Sequence, residues 1–369
     1  MNKNWFVVLF AFLSSWIQAE NVKTLEIGAQ APDFNLKGID GKNYNLKKFA
    51  KADVLVILFT CNHCPTAQAY EDRVIQFVND YKDKKVTLVA IQPNSDRSVR
   101  FDELGYTDLS DSYDEMILRA KDKKYNFVYL YDGGTQEIAH KYGPVATPHV
   151  FVFDKSRKLQ YQGRIDDNEH IGRQTTHELT DAVDALLMNK PVSTQNTKTF
   201  GCSIKWFDKA PTKVTEVSKW ATEPVALEKL DLDGIQSLVS NAGGKKYRLI
   251  NFWATWCGPC VSEYSTFVED HHMYRRRNFE MISVSMDTPK DYDKALDFLK
   301  EKYSSFRNVI YDGTDKYKLI DAVDPKWQGA IPYTILVSPE GKIVFSQMGM
   351  IDVRAVRKAV ADHIGRYYD

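Results

Sequence analysis

The sequence predicts an α/β protein built from two tandem units of the same kind. Two observations support this prediction. The same order of apolar strands and amphipathic helices occurs twice along the chain, and a Cys-x-x-Cys pair stands at the same place in each copy. The chain has 369 residues, which is more than one ordinary domain needs and enough for two hydrophobic cores.

The composition is that of a globular chain with no electrostatic bias. Apolar residues make up 43% and charged residues 27%, a balance unlike that of disordered or membrane-embedded proteins. Lys and Arg together number 49, and so do Asp and Glu. A zero net charge gives no reason to expect nucleic acid or an acidic membrane surface as a partner.

A strand-to-helix step surrounds the first cysteine pair, Cys61 and Cys64. The run ADVLVILFT, residues 52–60, is apolar and β-branched, which is typical of a buried strand. The segment that follows the pair, residues 65–84, repeats apolar side chains at helical spacing.

The second pair, Cys257 and Cys260, has the same setting. It lies between the strand-like run YRLINFWAT and the helical pattern of residues 261–277. We therefore expect Cys61 and Cys257 near the first turn of a helix. The free amide groups and the positive dipole end of that turn stabilise a thiolate and lower its pKa.

The similarity of the two units continues downstream. The strand-like segments at 86–94 and 279–287 correspond, and the Tyr-Asp-Gly steps at Tyr131 and Tyr311 each precede a Thr-Pro or Ile-Pro and then another apolar strand. A helix closes each unit. The chain is thus predicted to be an internal duplication of one α/β unit.

The first nineteen residues have the layout of a secretory signal. Lys3 is the only charge before the apolar run from Trp5 to Leu13, and small and polar residues lead to Ala19. We predict a signal peptide at residues 1–19. An uncleaved anchor is the alternative, because Ile17 is not small. We expect a secreted or periplasmic protein without a transmembrane segment after cleavage, in a compartment where disulfides persist.

The cysteines are too few for a disulfide scaffold. There are five, four of them in the two pairs, so their spacing suggests chemistry. A structural zinc site or an inert disulfide is the alternative for each pair. A structural zinc site requires four protein ligands, and neither unit offers a second Cys or His pair at the usual spacing. We predict redox-active disulfides with no metal and no other cofactor.

At these motifs the chain resembles a known family. WCGPC preceded by NFWAT resembles the active site of thioredoxin, and the second unit resembles the extracytoplasmic thiol-disulfide reductases of the TlpA and ResA type. The first unit, with GAQAPDFNLKGIDGKNYNLKKF leading in, resembles the redoxin branch, in particular AhpC/TSA-like, peroxiredoxin-like proteins that carry a C-x-x-C. The resemblance implies two tandem thioredoxin-like folds, each a central mixed sheet flanked by helices.

The same resemblance divides the chain. It implies a redoxin-like domain at 24–189 and a TlpA-like thioredoxin domain at 213–369. Between them lies a polar linker, 190–212, that contains Cys202.

The resemblance also implies roles for the paired cysteines. Cys61 and Cys257 correspond to attacking thiols, and Cys64 and Cys260 to the thiols that resolve a mixed disulfide. His63 can place an imidazolium beside the first pair and make its disulfide a stronger oxidant than the CGPC pair, by about 90 to 150 mV on typical values for the two motif types. A solvated His with little effect is the alternative.

Two prolines occupy the position of the cis proline that faces the cysteines in thioredoxin-like proteins. They are Pro148 and Pro332, preceded by Thr147 and Ile331. The preceding residue is expected to offer its backbone to a substrate strand, and the more polar Thr147 to alter substrate choice. An ordinary trans turn is the alternative.

Glu263 is the expected proton-handling group of the second unit. It stands one helical turn after Cys260, where the TlpA and ResA type has a glutamate, and burial would raise its pKa. An exposed carboxylate is the alternative. The buried Asp of thioredoxin is missing, because Asn251 and Leu55 stand six residues before the first cysteine of each pair.

Three functions follow from these features. The leading one is a secreted thiol-disulfide oxidoreductase that exchanges disulfides with protein substrates, is recharged by an upstream redox partner, and passes electrons from the second pair to the first. A peroxidase is weakened because Val54 and Ile57 replace the Pro expected seven residues before a peroxidatic cysteine. The third is a binding module with only one active redox domain. Cys202 is either an ordinary thiol or one that exchanges with the first pair.

Overall fold

The computed structural model of this protein describes residues 22–368. The predicted signal peptide, residues 1–19, lies outside the described residues. Across residues 22–368, no helix has both the length and the apolar character that crossing a membrane requires.

The first domain contains eight strands and four helices in its described part. The strands are β1 (Leu36–Gly38), β2 (Asn43–Tyr44), β3 (Val54–Phe59), β4 (Val86–Gln92), β5 (Val128–Tyr131), β6 (Ala146–Thr147), β7 (His149–Phe153) and β8 (Leu159–Gly163). The helices are α1 (Pro65–Tyr81), α2 (Tyr113–Lys123), α3 (Glu137–Tyr142) and α4 (Glu178–Leu187).

The second domain repeats this arrangement after a short linker strand, β9 (Cys202–Ser203). Its strands are β10 (Glu228–Leu230), β11 (Tyr247–Trp253), β12 (Phe279–Ser285), β13 (Arg307–Tyr311), β14 (Tyr333–Val337) and β15 (Ile343–Met348). Its helices are α5 (Ala210–Trp220), α6 (Leu232–Ser240), α7 (Gly258–Tyr274), α8 (Tyr292–Glu301), α9 (Lys316–Val323) and α10 (Val353–Ile364).

Both domains are built on a mixed sheet, as predicted. The first sheet has the order β2-β1-β5-β4-β3-β7-β8, and the second has the order β10-β13-β12-β11-β14-β15. In each, the strand before the cysteine pair is central. It pairs in parallel with β4 or β12 on one side and antiparallel with β7 or β14 on the other.

The apolar run before the first pair forms this central strand because it is covered on both faces. Every residue of β3 is buried. Val56 and Leu58 point into one hydrophobic cluster with residues of α1 and α4, and Leu55, Ile57 and Phe59 point into another with residues of α3. A continuous apolar strand is what a sheet with helices on both faces requires. The carboxyl end of β3, where the cysteines begin, is thereby held rigidly.

The polar linker is packed on the first domain along much of its length. The Gln162 amide donates to the carbonyl of Gln195 at 2.9 Å, and the Lys205 amide donates to Asn94 Oδ1, also at 2.9 Å. Ile204 is buried. Composition predicted a connecting segment, whereas its hydrogen bonds to the first domain make it part of that domain's surface.

The two domains also share a core. Val99 and Leu104 lie in the long connection between β4 and α2, yet they pack in the hydrophobic cluster of the second domain. The buried Tyr274 hydroxyl at the end of α7 donates to the Thr107 carbonyl at 2.7 Å, and the ring of Tyr368 packs against that of Tyr106 at 4.9 Å. The C-terminal residues of the second domain therefore lie on the first.

Candidate active site

The first cysteine pair lies at the carboxyl end of β3 with both thiols free and buried. Helix α1 begins at Pro65, so Cys64 is its N-cap residue, and the Cys64 sulfur accepts a hydrogen bond from the Ala67 amide at 3.5 Å. Cys61 stands three residues before Cys64, outside the helix, and its sulfur lies 3.1 Å from the Thr147 hydroxyl.

The second pair lies at the carboxyl end of β11 and forms a disulfide between Cys257 and Cys260. Helix α7 begins at Gly258, so Cys257 is the N-cap, and its sulfur accepts a hydrogen bond from the Cys260 amide at 3.3 Å. Trp256, directly before the pair, is 66% exposed and forms an apolar surface beside this site.

The helix therefore begins at a different cysteine in each domain. The sequence predicts Cys61 and Cys257 near the first turn of a helix, and in the first domain the cysteine that caps the helix is Cys64. Proline is favoured at the first helical position because its fixed φ suits a helix and its missing N–H has no intrahelical acceptor there. Pro65 takes that position directly after Cys64.

A second contact gives the same correspondence between Cys64 and Cys257. The Cys64 sulfur lies 3.2 Å from the carbonyl oxygen of Thr147, and the Cys257 sulfur lies 3.7 Å from that of Ile331. The peptide bonds that follow these carbonyls, to Pro148 and Pro332, are both cis, as the sequence predicts.

His63 is buried, so the alternative of a solvated histidine is wrong. Its Nδ1 lies 2.6 Å from Oδ2 of Asp111, which is also buried. The other Asp111 oxygen accepts hydrogen bonds from the Asn62 and His63 amides, and Asn94 Nδ2 donates to Oδ2. Asp111 thus holds both the imidazole and the backbone between the two cysteines.

Each member of the buried pair of His63 and Asp111 favours the charged form of the other. Burial alone would lower the pKa of His63, but the charge and hydrogen bond of Asp111 outweigh it and raise the pKa above its usual value. Burial would raise the pKa of Asp111, and the His63 charge with its hydrogen bonds lowers it. The contact with Asp111 therefore favours a positive charge on the imidazole beside the first cysteine pair.

The first pair is polarised, with Cys64 as its more acidic thiol. Burial raises the pKa of the Cys64 thiol, but hydrogen bonds from the Cys202 and Cys61 thiols, the His63 charge and the Ala67 amide together hold it well below its usual value. Burial, the hydrogen bond with Cys64 and the Asp111 charge raise the pKa of Cys61. Cys64 is accordingly the thiol of the pair that loses its proton more readily.

Glu263 is buried in the second domain, so the alternative of an exposed carboxylate is wrong. Burial raises its pKa to about 7, although the Ile351 amide donates to Oε2 at 2.9 Å and opposes the shift. Asn251, at the position of the acidic residue in thioredoxin, donates to the Thr334 hydroxyl at 3.0 Å. Glu263 is therefore a group of the second domain that can gain or lose a proton near neutral pH.

Sequence reasoning missed Asp111 and Asn94. They lie on the connection between β4 and α2, and Asp111 is 48 residues from His63. An isolated Asp before a helix is an ordinary turn residue. The sequence does indicate that the C-x-x-C loop leaves the adjacent Asn62 and His63 amides without a helical acceptor. These two amides need an acceptor from elsewhere in the chain, and Asp111 provides it.

Three groups in this site could hold a metal ion among the described residues. The ligand atoms of Cys61, His63 and Asp111 lie within 4.8 Å of one another. The Asp111 carboxylate already accepts hydrogen bonds from Asn62, His63 and Asn94, and a metal would have to replace some of them. We therefore interpret Cys61, His63 and Asp111 as groups that set the electrostatic environment of the thiols, rather than as metal ligands.

Two family models match the chain, one in each domain. The Redoxin model matches residues 26–183, and the AhpC/TSA family model matches residues 221–346. The chain thus carries a Redoxin domain and an AhpC/TSA domain in tandem.

Curated relatives are thiol-disulfide proteins. The thiol-disulfide oxidoreductase ResA of Bacillus subtilis is 30% identical over 114 residues, which is 31% of this chain and 59% of ResA. The thiol:disulfide interchange protein HelX of Rhodobacter capsulatus is 28% identical over 116 residues, again 31% of this chain and 59% of HelX. The chain therefore spans 59% of the length of each of these two relatives.

Solved structures are also similar. One of an uncharacterized conserved protein from Geobacillus kaustophilus is 35% identical, with a TM-score of 0.44, and the match covers 49% of this chain and 92% of that one.

Replacement of His63 tests the charge beside the thiols. We expect His63→Gln to raise the pKa of Cys64 by about one unit, because the thiolate loses the imidazolium that stabilises it. The pH dependence of Cys64 alkylation by iodoacetamide, followed by mass spectrometry, measures this pKa. The exposed His177 provides the control His177→Gln, and an unchanged profile in His63→Gln would show that the imidazolium has no influence.

Replacement of Glu263 tests its burial. Between the ordinary pKa of 4.5 and about 7, Glu263 is protonated in the folded protein but ionised in the unfolded one. The free energy of unfolding therefore falls as pH rises through this window. Glu263→Gln cannot ionise, and we expect it to be more stable than the wild type above pH 7 by about 1 to 3 kcal/mol. Urea unfolding between pH 5 and 9 measures the difference. The exposed Glu340, as Glu340→Gln, should show no such gain.

Proposed function

The chain is a tandem of a Redoxin domain and an AhpC/TSA domain, and on this basis we propose that it is a protein thiol-disulfide oxidoreductase with two working C-x-x-C sites. The observation that carries the proposal is shared by both sites. One sulfur of each pair accepts a hydrogen bond from one amide in the first turn of a helix and lies within 4 Å of a carbonyl oxygen at residue 147 or 331.

In the first domain the exchange begins at Cys64. Its thiolate attacks one sulfur of a client disulfide, forms a mixed disulfide and releases the other client sulfur as a thiolate. Cys61 then loses its proton and attacks the Cys64 sulfur, which releases the second client thiolate and leaves a Cys61–Cys64 disulfide. Two electrons pass to the client. This order reverses the roles expected from the sequence.

In the second domain Cys257 occupies the attacking position, and Cys260 resolves. The positive charge of His63 has no counterpart at Gly258 or Pro259, the residues between these cysteines. Glu263 supplies a carboxyl that accepts or returns the proton of the resolving thiol near neutral pH. The second pair is therefore the stronger reductant, and electrons flow from Cys257/Cys260 to Cys61/Cys64.

The proposal includes the compartment and the partners. A signal peptide at residues 1–19 would direct the chain to the periplasm or out of the cell, where disulfides form and persist. Client proteins with thiols or disulfides dock on the two sites, and an upstream redox partner recharges them. The exposed Trp256 beside the second pair is an apolar contact for such a protein.

Trapping of mixed disulfides tests the order of attack. We expect the double variant Cys61→Ser/Cys202→Ser and the variant Cys260→Ser to accumulate covalent complexes with insulin, because no second thiol is left beside the attacking sulfur to resolve them. Cys64→Ser and Cys257→Ser should accumulate none at their own site. Non-reducing gels with mass spectrometry read the result. If Cys64→Ser traps the client and Cys61→Ser/Cys202→Ser does not, Cys61 is the attacking thiol, and consumption of hydrogen peroxide that depends on Cys64 would favour a peroxidase.

Separate redox titrations test the internal relay. Variants that keep one pair and carry Ser in place of the other are equilibrated with glutathione and alkylated. We expect the first pair to be more oxidising by about 60 mV or more, which corresponds to a downhill step of about 3 kcal/mol. Equal or inverted potentials would make the two domains independent reductases.

A further inference from the structure

The linker strand β9 forms a separate two-stranded sheet with β6 of the first domain. It pairs antiparallel with β6, with Cys202 directly opposite Thr147. Thr147 is the residue whose carbonyl faces the Cys64 sulfur. In the second domain no strand of residues 22–368 pairs with the corresponding Ile331. The second domain thus leaves this backbone edge free, whereas the first pairs it with a piece of its own chain.

Strand addition at such an edge is a common way for proteins to bind an extended peptide. Here the added strand brings a cysteine against the attacking sulfur. The Cys202 amide donates to the Cys64 sulfur at 3.3 Å, and the Thr147 hydroxyl donates to the Cys202 carbonyl at 3.5 Å. The Cys202 thiol also lies close enough to lower the pKa of the Cys64 thiol. Cys202 therefore stands where the cysteine of a bound client would stand.

The close approach of the linker depends on a glycine. Gly201 has a φ of +130°, and a Cβ at this position would lie 2.1 Å from the Thr147 carbonyl oxygen. Only glycine adopts this backbone without strain and fits that gap. The Thr197 and Lys205 amides, which donate to Gln162 and Asn94, fix the linker on both sides.

The three sulfurs differ in their access to solvent. Cys61 is 3% exposed and Cys64 is fully buried, whereas Cys202 is only half-buried. The contact with Cys64 and burial raise the pKa of the Cys202 thiol, and the neighbouring Tyr368, from the second domain, opposes this rise. A reductant from outside therefore meets Cys202 before it meets the other two sulfurs.

We propose that Cys202 is a third catalytic thiol, which takes over the disulfide from Cys61–Cys64 and presents it to the reductant. The inference rests on the proposed function, since that function forms the Cys61–Cys64 disulfide. Cys202 loses its proton and attacks the Cys64 sulfur. The Cys61–Cys64 bond breaks, the Cys64–Cys202 bond forms, and Cys61 leaves as a thiolate that takes up a proton. No electrons are gained or lost in this exchange.

The reductant completes the cycle. A dithiol attacks the more accessible Cys202 sulfur, forms a mixed disulfide and resolves it, so that Cys202 and Cys64 return to thiols and the dithiol becomes a disulfide. The second domain's own pair, in its reduced form, is a dithiol of this kind.

Mapping of the disulfides in the full chain tests the first step. After oxidation with glutathione disulfide and alkylation, we expect Cys61→Ser to carry a Cys64–Cys202 bond in most molecules. Adding Gly201→Ala should reduce that fraction about tenfold, because it lowers the effective concentration of Cys202 at Cys64. Glutathione adducts or dimers through Cys64 in Cys61→Ser, with Cys202 free, would overturn the proposal.

A kinetic measurement tests the second step and separates the two proposals. Reduction of the oxidised first pair by dithiothreitol should be about tenfold slower in Cys202→Ser than in the wild type, and Ser203→Ala, on the same strand, should react normally. An unchanged rate in Cys202→Ser would overturn the role of Cys202 alone. Failure of the proposed function would appear differently, as a wild type that forms no Cys61–Cys64 disulfide and does not reduce insulin.

Discussion

The capping of a helix by a cysteine sulfur is the interaction on which the rest of each site depends. A thiolate needs hydrogen-bond donors, and the first turn of a helix offers amides that have no helical acceptor. Cys64 and Cys257 take this place at the ends of β3 and β11. These strands are central and buried. Their packing fixes the position of each capping sulfur next to the carbonyl oxygen of Thr147 or Ile331.

The two sites surround this shared interaction with different ionisable groups. In the first, the buried ion pair of His63 and Asp111 brings an imidazolium to the thiols. Removing one partner of such a pair would leave an unpaired buried charge, so each fixes the other. In the second, the nearby ionisable group is Glu263, which burial keeps neutral up to about pH 7. One site is built to hold a thiolate and the other to move a proton.

The domains also differ in what lies beside the attacking sulfur. The second presents an open edge at Ile331 and an exposed Trp256, as a surface for other proteins would. The first is covered by β9 and by Tyr368 from the second domain. In the exchange that we propose, this cover gives the buried cysteine pair a route to other proteins, because the covering strand itself carries the Cys202 thiol.

The sequence by itself determined the two α/β domains, their mixed sheets, both cysteine pairs and the cis prolines. The α/β units and the cysteine pairs follow from local patterns: apolar runs, helical spacing and a motif repeated in one chain. The mixed sheets and the cis prolines follow from the resemblance to thioredoxin-like proteins. The tertiary structure decided which cysteine caps the first helix, which carboxylate pairs with His63, and where Cys202 lies. The partners Asp111 and Cys202 are separated from the first pair by 47 residues or more along the chain. Only folding brings them together, because their contacts depend on backbone amides and sheet edges rather than on residue patterns.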